Sequence, residues 1–244
     1  MTAETLTSVT SIEDLPARRS PRAAAIAGLV FAVLFSVSVI LIRLTLSGAT
    51  AGGEVWLAER AGWFEFAIFL MPFAGIAFLW FIAVVRSLLG RFEDQFYATV
   101  MLGSGLIFLA MVFVAAGVAG GILASYTRNP VTFGGSTAYD FARDVVAQIF
   151  TIYAMRMAAV FVMSLATLWL RTKVVPRWLA FLSFAVALAL LFALTRSMWV
   201  VLVFPAWVLL VSAYILIVTF TRRHTTAAGG ATPNAPEMAQ QVGE

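Results

Sequence analysis

Residues 145–170 read VVAQIFTIYAMRMAAVFVMSLATLWL, an apolar run with one charged residue, Arg156, near its middle. About 20 predominantly apolar residues suffice for a helix to cross a hydrocarbon layer about 30 Å thick. The run is therefore read as a membrane span. An arginine at that depth costs at least about 2.5 kcal/mol on insertion-based scales, so the rest of the chain is expected to accommodate it.

The composition agrees with this reading over the whole chain. Of 244 residues, 62% are hydrophobic and 11% are charged, and the mean hydropathy is +0.97. A soluble domain carries about 25% charged residues. Its helices show an apolar stripe, whereas these segments are apolar on every side. The sequence predicts an all-α, polytopic bundle of six transmembrane helices, at about 23–46, 63–89, 96–124, 145–170, 178–194 and 199–220. Residues 1–22 and 222–244 are polar and read as disordered tails. The lead-in to the first span is too long and too acidic for a signal peptide.

Six crossings put both ends of the chain on one side. With the termini inside, Arg18, Arg19, Arg22, Arg86, Arg91, Arg171, Lys173, Arg177, Arg222 and Arg223 are cytoplasmic, and Arg43, Arg60, Arg128, Arg143 and Arg196 are outside. Such a bias in short loops sets orientation, so both termini are expected in the cytoplasm of a multi-pass plasma (inner) membrane protein. The net charge of +4 is accounted for in the same way, and nucleic acid is not an expected partner. Fifteen arginines against one lysine suggest a GC-rich bacterial genome.

This topology gathers several charges in the outer half of the bundle. Arg43 closes the first span, Glu65 opens the second, and Arg196 lies in the turn between the fifth and sixth. Arg156 and Glu65 are the expected ion pair. On an α-helical wheel Arg156 shares its face with Ile149, Ile152, Met163 and Thr167, with Ala154 and Phe161 opposite. Tyr153 and Gln148 add polar groups nearby. The Arg156 face is expected to point into the bundle, because an unpaired guanidinium against lipid is the costliest alternative. A planar guanidinium binds carboxylate or phosphate bidentately, so an anionic small molecule or a lipid headgroup is the expected ligand. An equally simple reading makes Arg156 a structural pair that fixes helix register.

The third span ends in AAGVAGG, residues 115–121, with small residues four apart. Ala116, Gly117, Gly120 and Gly121 form overlapping pairs of the kind that let helix backbones approach in lipid, here expected within the bundle. Pro72 is expected to bend the second span.

Several chemistries are excluded. There is no cysteine, hence no disulfide and no thiol nucleophile. The single histidine, His224, lies in the basic start of the C-terminal tail, so neither a serine-type triad nor a haem or transition-metal centre can be assembled around it. No cofactor is expected. The leading functional expectation is a small transporter-like or lipid-handling protein with its polar site around Arg156. The alternative is a non-catalytic membrane scaffold or the membrane subunit of a larger complex, with an oligomer or protein partner. An enzyme acting on lipids ranks last, because catalytic residue types are scarce.

Overall fold

A backbone surrounded by hydrocarbon finds no water to bond, so it must satisfy its own N–H and C=O groups, and a helix does this within one segment. The computed structural model describes residues 21–47, 53–89, 95–129, 136–172, 175–192 and 198–229, and within these the regular structure is helical throughout. The elements are α1 (Pro21–Ser47), α2 (Gly53–Leu89), α3 (Gln95–Arg128), α4 (Thr137–Gln148), a π-helical turn (Ile149–Ala154), α5 (Met155–Thr172), α6 (Arg177–Phe192), a 3₁₀ turn (Met198–Leu202) and α7 (Val203–Gly229). Five stretches are long and apolar enough to cross a membrane: Ala25–Thr45, Arg60–Arg86, Gln95–Arg128, Thr137–Thr172 and Trp199–Val218. Helix α6 is apolar but has 16 residues, about 24 Å at 1.5 Å per residue, which is short of a full hydrocarbon crossing.

The helices begin and end outside several expected boundaries. Helix α2 starts at Gly53, ahead of the expected start of the second span at about residue 63, and continues through Pro72. Pro72 is exposed, so its missing hydrogen bond lies on the outer side of the helix. Helix α7 runs past the expected end of the last span to Gly229. The stretch before residue 145 also folds. Ser136 adopts extended dihedrals (φ −86°, ψ 150°) and its side chain accepts a hydrogen bond from the Tyr139 N–H, capping α4. Arg143 reaches Asp140 at 3.5 Å and Asp144 at 3.6 Å on the polar side of α4.

The helices form a ring in which neighbours are α2–α1, α1–α7, α7–α6, α6–α5, α5–α3 and α3–α2. Aromatic side chains fill its centre. Phe78 of α2 lies 4.7 Å from Phe31 of α1, 5.3 Å from Phe108 of α3, 5.4 Å from Phe161 of α5 and 5.8 Å from Phe204 of α7, between ring centroids. Each of these rings is buried, and several pairs are edge-on, the arrangement favoured by the ring quadrupole.

Buried hydroxyls are mostly satisfied within their own helix. Thr151 donates to the Ala147 carbonyl at 2.7 Å, Ser164 to Val160 at 2.8 Å and Ser104 to Val100 at 2.7 Å. One hydroxyl also joins two helices. Ser183 of α6 donates to Leu179 at 2.8 Å and accepts from the Trp207 indole N–H of α7 at 2.9 Å. This bond ties the short helix α6 to the bundle.

Close backbone approach is made by glycines other than the expected ones. A Cβ at Gly28 would collide with the Ser212 hydroxyl and come within 2.8 Å of the Phe81 ring, and one at Gly75 would strike the Phe113 ring. In the AAGVAGG run it is Ala115, Ala116 and Ala119 that are buried. Gly117 and Gly121 are exposed and Gly120 is half-buried, and a Cβ at any of the three would meet nothing within 4 Å. Of the expected small-residue contacts, the Ala115/Ala119 pair packs within this chain and the glycine pair Gly117/Gly121 faces outward.

Gly28→Ala is therefore expected to destabilise the fold by about 1–3 kcal/mol through overpacking. Adding Ser212→Ala should recover much of that loss, since the buried Ser212 hydroxyl has no hydrogen-bond partner among the described residues. Gly62→Ala, at an exposed helical position with open space around it, should be neutral or stabilising by up to about 1 kcal/mol. Thermal midpoints in detergent, read for the three variants and the parent, check the ordering.

Candidate functional site

Helix α4, the π turn and α5 follow one another without a break over residues 137–172. Gln148 is the last residue of α4 and is half-buried. The π turn, Ile149–Ala154, follows, and Arg156 is the second residue of α5. A π turn inserts an extra residue into the helical repeat, and such turns recur at functional sites. It also shifts the faces of the helix before and after it. Outward positions along this helix are Tyr153 (58% exposed), the half-buried Arg156 and Val160, and Met163 (39% exposed).

The expected orientation of Arg156 is reversed. Ala154 and Phe161, which the wheel puts opposite Arg156, are fully buried in the core, while Met163 on the Arg156 side is exposed. The energetics explain this. The interior is an apolar aromatic cluster with no acidic residue among its buried members. A guanidinium there would lose its hydration and gain no counter-charge. At the periphery it can extend along the helix toward the interface.

The other polar residues are dispersed around the bundle. Glu65 lies on the exposed side of α2, and no ion pair joins it to Arg156 among the described residues. Arg43, half-buried at the end of α1, has its guanidinium 4.3 Å from the centroid of the Trp199 ring in the 3₁₀ turn before α7. At the opposite end, Arg171 of α5 lies 4.7 Å from the Tyr97 ring of α3. Arg196 lies outside the described residues. No cluster of His, Asp and Glu that could hold a metal occurs among the described residues.

Neither stacked pair was foreseen. Trp199 reads from sequence as an interfacial anchor, and nothing in the spacing links it to Arg43. The π turn leaves no signal either, since QIFTIYA holds no proline or glycine.

Chemically, the described residues offer anion-binding and stacking groups, with no array of nucleophile, acid and base. Comparison with protein-family models, with curated proteins and with solved structures finds no match to this chain.

The Arg43–Trp199 contact joins the ends of two helices. Trp199→Leu keeps an apolar side chain but removes the ring face, and should lower stability by about 0.5–2 kcal/mol. Arg43→Gln should cost a similar amount in the parent and much less in the Trp199→Leu background. A double-mutant cycle of thermal midpoints measures that coupling.

Proposed function

We propose that this chain is a non-catalytic membrane scaffold: a six-span bundle with a sealed interior that works through its outer surface. The observation that carries the reading is the core itself. Phe78, Phe108, Phe161 and Phe204 are each fully buried, and Phe78 and Phe204 each contact the other three rings, at the position where a transport path would run. Arg156 and Glu65, the two charges expected to form a site, lie half-buried and exposed respectively. The bundle thus supports an assembly role ahead of the transporter-like role that the sequence favoured first.

In this reading α6 is the sixth crossing. Helix α6 packs against α5 and against α7, and its shortness is met by local thinning of the bilayer. Both termini then lie on the side rich in arginine, the cytoplasmic face of a plasma membrane.

The absence of native cysteine makes the test direct. Ala158 is fully buried in the core and Met163 is exposed. In Ala158→Cys and Met163→Cys variants, a lipid-soluble maleimide should label position 163 and leave position 158 unmodified. A membrane-impermeant maleimide should label neither. Rapid labelling of position 158 by the impermeant reagent would mean that water enters the core, and the scaffold reading would give way to transport.

A further inference from the structure

Glu65 and Arg156 each belong to a membrane-spanning stretch, carry opposite charge, and have no ion-pair partner among the described residues. Pairing Arg156 removes the cost of carrying an unmatched guanidinium within the span, and Glu65, nearer the outer end of its own span, supplies the opposite charge. They sit on α2 and α5, and α3 is the helix that packs against both. The two charges therefore flank α3, one on each side.

We infer that two copies of the chain pair about a two-fold axis running along the outer face of α3, so that Glu65 of each copy faces Arg156 of the other. A half-turn about such an axis sets α2 of one copy against α5 of its partner, and α5 against α2. Two-fold contacts are self-complementary, so charges of opposite sign on opposite sides of the axis are what this symmetry needs. One ligand, the same chain, neutralises both groups with no third component.

The depths are compatible. The Phe78 and Phe161 rings are in contact, and α2 and α5 run in the same direction. Glu65 lies thirteen residues before Phe78 and Arg156 five before Phe161. Their Cα atoms are thus about 20 Å and about 8 Å outward of that level at 1.5 Å per residue. With about 9 Å between helix axes the two Cα atoms are about 15 Å apart, which fully extended arginine and glutamate side chains joined by a contact of about 3 Å just bridge.

The outer face of α3 is shaped for close contact. Gly103, Ala110, Gly117 and Ala124 recur every seven residues; the last three are exposed and Gly103 is half-buried. A Cβ at Gly103 or Gly117 would meet nothing within this chain, so their smallness serves no packing inside one copy. Small residues at a heptad interval give a continuous seam on which two helices can lie close together. This proposal rests on the scaffold reading only in treating the interior as sealed, and its test is separate from core labelling.

The test uses the full-length chain in native membranes. Gly117→Cys and Ala110→Cys should form disulfide-linked dimers on mild oxidation, while Leu188→Cys, exposed on α6 away from the seam, should remain monomeric. Glu65→Arg and Arg156→Glu should each reduce the dimer fraction, with dissociation rising by about tenfold. The double reversal, Glu65→Arg with Arg156→Glu, should restore it. Monomeric mass together with no cross-link at positions 110 and 117 would overturn the proposal. So would a double reversal that dimerises no better than either single variant. A dimer lost in the singles and recovered in the double would establish the pairing whether or not the core proves permeable.

Discussion

The structure depends on a packing constraint set by Phe78. Its ring touches rings from α1, α3, α5 and α7, so one side chain meets four of its neighbouring helices. Lipid tails are as apolar as phenylalanine, and helices in a bilayer gain little from hiding apolar surface. What holds them is close contact between complementary shapes. Broad rings meeting edge to face supply that contact, and the glycines at positions 28 and 75 bring backbones near enough for the rings to mesh. Polar groups are handled locally: hydroxyls bond carbonyls one turn back, and a single indole–hydroxyl bond links α6 to α7.

An aromatic centre leaves no place for a charge, and the positions of the charges follow from this. Arg43 and Arg171 lie near opposite ends of the bundle, each against an aromatic face. Arg156 sits on the outer side of its span.

How much of this the sequence reveals depends on the range of the interaction. The all-helical, membrane-crossing character was legible because it rests on run length and composition, both local quantities. The orientation of the Arg156 helix was not. The wheel assumed that a charge seeks a protein interior, whereas this interior has nothing to pair with it, a fact spread over five helices. The small-residue rule found a real pattern at residues 115–121 but could not tell which neighbour the pattern serves. The packing roles of Gly28 and Gly75 are set by Ser212, Phe81 and Phe113 on other helices. Helix α4 carries local cues, Ser136 as its cap ahead of an amphipathic stretch.

The π turn between α4 and α5 has a consequence for how this chain can vary. In an uninterrupted α-helix the rotational setting of one end dictates that of the other. A change that turned the surface segment to suit a different headgroup layer would then also turn the buried span. One added residue at Ile149–Ala154 uncouples the two settings. The segment before the turn and the segment after it can each drift in sequence without a compensating change in the other.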